Sequence, residues 1–224
     1  EKFDELWHSK GIASKSKVSV WEGRLSTKRL AGGARNRTRV CLGHFATNSW
    51  STPRGEKLVL EITDMSVNGF TPSKWLDAVV WQSLPHPARF HRVWGLQTGS
   101  DPIFFWHPVP PTSEFVALGM IVSSTEEPPS IKSVHCVPRN WVEPAPTEVK
   151  MLWSDSGASG KPGSIWSIGG LQLLGAAQGQ TPPGDASWKL KRARFTLGDG
   201  DMRAPRRALP SPDEGGPQLT PRSG

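Results

Sequence analysis

The chain has 224 residues, with 27 Lys/Arg against 20 Asp/Glu for a net charge of +7, 11 tryptophans, no tyrosine and two cysteines. That length supports one large or two small domains with a sizeable core. Cys41 and Cys136 are too few for a disulfide framework and are expected to be buried thiols in a reducing compartment; no stretch approaches the roughly 18–20 apolar residues that cross a bilayer.

With 23 glycines and 21 prolines, the apolar runs are short. Leu6-Trp7 and Val18–Trp21 read as opening strands, and Gly23–Val40 as a basic, Gly-containing loop inserted after them. Lys57–Ile62 is a predicted strand. Ser73–Trp81 is the one predicted helix, with Ser73 as cap and Trp75 and Val79 facing inward. Val93-Trp94, Ile103–Trp106, Phe115–Leu118 and Met120–Val122 are predicted strands, Gly119 marking a bulge or close approach. Val134–Val137, Leu152-Trp153 and Arg192–Leu197 complete the set, and Gly157–Lys161 reads as a flexible hairpin. From Met202 onward apolar residues nearly vanish, so this tail is expected to be disordered. The sequence opens on Glu1 with no charged-then-apolar leader, which suggests a fragment or processed chain without a visible secretory signal. Asn36-Arg37-Thr38 fits a glycosylation acceptor, of little weight without a leader.

A tryptophan-centred phrase is written three times. Leu6-Trp7, Gly11, Ser19-Val20-Trp21 and Leu42-Gly43 form the first copy, and Val93-Trp94, Gly99, Phe104-Phe105-Trp106 and Leu118-Gly119 the second. Leu152-Trp153, Gly157, Ser164-Ile165-Trp166 and Leu174-Gly175 form the third. A reused unit of this kind stacks to share a core. The six repeat tryptophans Trp7, Trp21, Trp94, Trp106, Trp153 and Trp166 are therefore expected in the shared centre, and Trp50, Trp75, Trp81, Trp141 and Trp188 at the surface.

No catalytic constellation emerges. Gly157–Lys161 is too short for a phosphate loop, and Pro162 stands where Ser or Thr would bind the metal. A zinc site through His135 and Cys136 would need two further ligands that no spacing supplies. The charge is uneven: residues 10–40 hold nine Lys/Arg against Glu22, and residues 189–224 hold eight against four acids, whereas residues 41–188 hold nine against twelve. The basic segments offer an anionic-surface contact through Arg24, Lys28, Arg29, Arg35, Arg37, Arg39, Lys189, Lys191, Arg192 and Arg194. Nucleic acid is not an expected partner, since the folded middle is acidic and lacks aromatic–basic interleaving.

Phe90-His91-Arg92-Val93-Trp94, Phe104–Pro111, Phe115–Gly119, Glu127–Pro129 and Val134–Arg139 together resemble the vacuolar protein sorting-associated protein 62 family. They are equally similar to a related segment in bridge-like lipid-transfer proteins of the vacuolar protein sorting-associated protein 13 type. Leu152–Gly157 and Gly163–Trp166 match a further element of that pattern, and Phe195–Asp199 a closing one. Thr112–Phe115 departs from the family's Pro-Gly-Tyr, and the third copy has Ser167–Gly170 in place of its proline run. The resemblance implies vacuolar or endosomal sorting and carries over no catalytic residue.

The sequence thus predicts an all-β protein of three Trp-centred sheet repeats, β-prism-like or a compact β-repeat array. Residues 1–200 form the repeat domain, in units of about 1–85, 86–148 and 149–200, and 201–224 the tail. The expected function is a non-catalytic binding or adaptor module in membrane trafficking, without cofactor or metal. It would be cytoplasmic, peripheral on endosomal or vacuolar membranes, and contact a protein partner or anionic lipid headgroups. A lectin-like carbohydrate binder of the same fold is the alternative.

Overall fold

The computed structural model describes residues 3–12, 14, 16–24, 36–53, 60–97, 101–145, 147–155, 162–183 and 187–191. One compact unit holds Glu1–Ala193. A second, Arg194–Gly224, lies outside the described residues, as do the predicted tail and the predicted strand at Arg192–Leu197.

Short β-branched and aromatic runs between turn residues make strands. The first group is β1 (Phe3–His8), β2 (Ser19–Gly23), β3 (Arg37–Val40), β4 (Phe45–Thr47) and β5 (Leu60–Thr63), followed by helix α1 (Leu76–Ser83). Next come β6 (Arg89–Leu96), β7 (Ile103–Val109), β8 (Phe115–Val116), β9 (Ile121–Ser123), β10 (Val137–Pro138) and β11 (Val142–Pro144). The last are β12 (Val149–Ser154), β13 (Gly163–Ile168), β14 (Leu173–Gln178) and β15 (Trp188–Leu190). All described strand pairs are antiparallel. The end of the predicted basic loop is strand, because Arg37–Val40 pairs with Leu60–Thr63.

Three meanders carry the tryptophan phrases: β1-β2-β4, β6-β7-β9 and β12-β13-β14. The first and third join edge to edge through Phe45 and Leu173 into a six-stranded sheet, while the second stands as its own three-stranded sheet. The opening strand of each slips register at the same place, between Glu5 and Trp7, Arg92 and Trp94, and Met151 and Trp153. The extra residue (Leu6, Val93 or Leu152) is a β-bulge that aims the following indole inward.

Side-chain alternation then sorts the six repeat tryptophans, and corrects the expectation that all six share one centre. Trp7, Trp94 and Trp153 lie in the largest buried cluster, with Val20, Phe105 and Ile165 from the facing strands. Trp21, Trp106 and Trp166 each follow one of those residues, so they point to the opposite face. They are buried there, and their indole N–H groups donate to Ser19 (2.7 Å), Ser123 (2.8 Å) and Ser164 (2.8 Å). Phe104 occupies the position of Ser19 and Ser164, and β9 supplies the missing hydroxyl through Ser123.

The meanders close on one another through a ring of backbone hydrogen bonds. His44 N–H donates to Met120 O (2.9 Å), Met120 N–H to Leu174 O (2.8 Å), and Leu174 N–H to His44 O (2.8 Å). Trp21 pairs with Phe45, Trp106 with Ile121 and Trp166 with Gly175, so Gly175 is the counterpart of Phe45 and Ile121. The third equivalent of Leu42-Gly43 and Leu118-Gly119 is therefore Gln172-Leu173, two residues earlier than the sequence phrase suggested. Gly43 has φ +145°, and a Cβ on it would lie 2.8 Å from Gly119 Cα, so the ring requires glycine there.

His44 contributes a pH dependence. It is buried, its Nδ1 accepts the Val122 N–H at 3.1 Å, and burial pushes its pKa down from 6.5 to about 4. The unfolded state then binds more protons between those values, so stability is intact above pH 6.5 and falls as pH drops towards about 4. This group alone contributes roughly 2–3 kcal/mol of that loss. His44→Asn retains an acceptor without the titration. Urea unfolding across this window should show a shallower acid slope for the variant, with His107 and His135, also lowered by burial, supplying the remainder. Parallel slopes would exclude His44 as the source.

Candidate functional site

The described basic residues of the predicted anionic surface all have partners. Arg24 pairs with Asp4, whose carboxylate raises the Arg24 pKa and is itself held low. Arg37 and Arg39 reach Glu61 at 3.3 and 3.0 Å across the β3–β5 pair. Lys189 lies between Glu148 (2.6 Å) and Glu143 (3.5 Å), and chiefly the Glu148 hydrogen bond raises its pKa. The Lys191 ammonium donates to Asn140 O at 2.8 Å. Lys28, Arg29, Arg35, Arg192 and Arg194 lie outside the described residues. These exposed pairs add little stability but offset part of the local charge.

The least expected surface is the connection from β5 into α1. Polar side chains here bond locally, to their own backbone and to one another. Asn36 Nδ2 donates to the carbonyls of Asp64 (2.8 Å) and Val67 (3.2 Å). Asp64 accepts from the Ser66 N–H (2.8 Å), the Ser66 hydroxyl (2.6 Å) and the Ser73 hydroxyl (2.5 Å), bonds led by the Ser66 hydroxyl that hold its pKa down. Asn68 Oδ1 accepts from Phe70 N–H (3.1 Å), Thr71 N–H (2.9 Å) and the Thr71 hydroxyl (2.8 Å). Such Asx turns satisfy the loop internally.

The apolar side chains of the same stretch point out: Met65 is 87% exposed, Phe70 77%, Trp75 70% and Trp81 61%. Ser73 Oγ accepts the Leu76 N–H at 3.0 Å, but the helix runs Leu76–Ser83 with Trp75, not the expected Ser73, at its N-cap position. Its buried residues are Leu76 and Ser83, so the inward placement expected of Trp75 fails, whereas the surface placement of Trp75 and Trp81 holds. Trp50 and Trp188 are partly buried, and Trp141 is buried, contrary to expectation. Lys17 Nζ covers the Trp50 ring at 4.7 Å.

A cleft of about 470 Å³ lies where the loop after β4 meets β12, with Thr47, Asn48, Ser49, Thr52, Lys150 and Gln172 in its lining. Its hydroxyls and amides suit a polyol, but neither an acid nor an aromatic platform lines it, and sugar sites commonly depend on both. The thiols are poor nucleophiles: burial pushes Cys41 up to about 11 and Cys136 to about 12. Both are unpaired. The His86 and His135 rings lie 4.3 Å apart with their planes tilted by 36°, their Nδ1 atoms engaged by the carbonyls of Val134 and Leu84. Among the described residues no group of three or more His, Cys, Asp or Glu could hold a metal, and no helix is long and apolar enough to cross a membrane.

Compared with known proteins, the profile described as Vacuolar protein sorting-associated protein 62 matches residues 5–179, a span that takes in all three tryptophan pairs. A crystal structure of GNIP1Aa from Chromobacterium piscinae is similar with a TM-score of 0.54 at 16% identity, over 92% of this chain and 34% of that one. At that identity the likeness is one of β-rich fold, and this chain spans about a third of the solved structure's length. No curated protein matches the sequence.

Proposed function

The chain belongs to the vacuolar protein sorting-associated protein 62 family, and from that premise we propose that it is a non-catalytic binding module of vacuolar or endosomal membrane trafficking. It acts peripherally, on the cytoplasmic side, through contact with anionic lipid headgroups. Family membership over residues 5–179 is the observation that carries the reading.

Two features support it. Three reactive side chains of the described residues offer no catalytic group: His44 is buried in the core, and the Cys41 and Cys136 thiols are held protonated. Residues 24–39 contain six Lys/Arg and no acid, so the segment keeps a net positive formal charge even against Asp4 and Glu61. At about 1 kcal/mol per cation near an anionic leaflet, such a segment suffices for reversible recruitment. The expected result is preferential recovery of the chain on phosphatidylserine or phosphoinositide vesicles over phosphatidylcholine alone, weakened by salt. Recovery that ignores lipid charge would remove the headgroup contact and leave a protein partner as the ligand.

A further inference from the structure

We infer that Met65, Phe70, Trp75 and Trp81 form an apolar wedge that enters the headgroup–acyl boundary of an anionic bilayer. The inference rests on the binding-module reading above and names the contact surface for it. In residues 64–75 the polar side chains are spent locally while the large apolar groups face solvent: Asp64, Ser66, Asn68 and Ser73 bond to one another and to the backbone N–H groups of their own loop. Four such side chains, each more than half exposed within residues 65–81, mark an interaction surface.

The occupant follows from shape and charge. A peptide or helix partner needs a groove, and the described cleft is lined by none of these four residues. A fluid bilayer needs no groove, only protruding side chains, and tryptophan favours the interface, where its ring is buried and its N–H stays wet. The local charge is near balance: Glu61 is engaged by Arg37 and Arg39, Asp64 accepts from the Ser66 and Ser73 hydroxyls, and the exposed Lys74 offsets the exposed Asp77, so attraction to an anionic leaflet comes from the neighbouring basic segment. Asn36, which anchors the loop through Asp64 and Val67, belongs to the stretch 24–39, whose six cations outnumber Asp4 and Glu61, the two acids that its described members meet. Shallow apolar insertion combined with basic attraction is the general mode of interfacial binding.

The test uses the full chain and phosphatidylcholine–phosphatidylserine vesicles, with part of the phosphatidylcholine brominated near the glycerol end of its acyl chains. Tryptophan emission should be quenched by the brominated lipid in the wild type. Trp75→Ser/Trp81→Ser should abolish most of that quenching and weaken vesicle partitioning by about tenfold or more. Met65→Ser/Phe70→Ser, which leaves every tryptophan in place, should weaken partitioning comparably. All four sites are exposed, so near-UV circular dichroism should be retained in both variants. Anionic vesicle binding without quenching, unaffected by either double substitution, would overturn the wedge while leaving a headgroup contact elsewhere. Absence of binding to any vesicle would overturn both the wedge and the lipid contact. Loss of a self-associated species in the variants, with vesicle binding unchanged, would assign the patch to a second copy instead.

Discussion

Trp153→Ala is expected to lower the unfolding free energy by about 3–5 kcal/mol, the range for deleting a buried tryptophan, and to leave the protein at or near the edge of folding, since domains of this kind are typically stable by only about 5–15 kcal/mol. Trp153 is 1% exposed and stands between the other two central indoles, with ring centroids 6.2 Å from Trp7 and 6.1 Å from Trp94. Truncating it removes the one ring that touches both neighbours and opens a void where all three meanders meet. Its indole nitrogen is buried without an acceptor among the described residues. Trp153→Phe therefore removes an unsatisfied donor along with some volume, and should cost clearly less than the alanine variant. Denaturant unfolding of the two variants beside wild type checks the order. A Trp153→Ala loss below about 1 kcal/mol would show that the central tryptophans do not hold the meanders together.

Gly163→Ala should be nearly as damaging, for the opposite reason. Gly163 occupies the place in its meander that Val18 and Ile103 occupy in theirs, two residues before the inward Val20, Phe105 and Ile165. The space that a side chain would fill is taken by Trp94: an added Cβ would lie 2.0 Å from its Cε2 and 2.3 Å from its Cδ2. The indole cannot retreat easily, because it stacks on Phe105 at 5.2 Å and abuts Trp153. Overpacking of a rigid ring costs about 1–3 kcal/mol or more, and this contact lies at the upper end. The explanation is specific to one pair. In a Trp94→Leu background the same Gly163→Ala change should cost little, which a double-mutant cycle reads as a coupling of about 1–3 kcal/mol. Additive effects would show that Trp94 is not what excludes a side chain at 163.

The repeat was legible because matched tryptophans bracket each hairpin, and their burial follows from that reuse. Which tryptophan faces the shared centre was not legible. The two indoles of a unit lie on different strands, and a one-residue bulge resets the parity of the first. The third Leu-Gly misled by residue type: strand pairing places Gly175 opposite Trp166, whereas Gly43 and Gly119 sit two positions earlier in their units. For the surface, Trp75 and Trp81 stood out from the repeat, but Met65 and Phe70 did not. Their exposure depends on Asp64 and Asn68 bonding back to their own loop, for which Asp-x-Ser and Asn-x-x-Thr were the available cues. Charge counted along the chain also missed the pairing of Arg24 with Asp4 and Lys189 with Glu148, because those acids arrive from other segments.

The proposed peripheral contact with an anionic membrane is tested most directly by co-sedimentation of the full chain with neutral and phosphatidylserine-containing vesicles at low and high salt. At least about tenfold greater recovery is expected on the anionic vesicles at low salt, reduced but not abolished at high salt, since the aromatic wedge is not screened. Equal recovery on both vesicle types, or none on either, would contradict it.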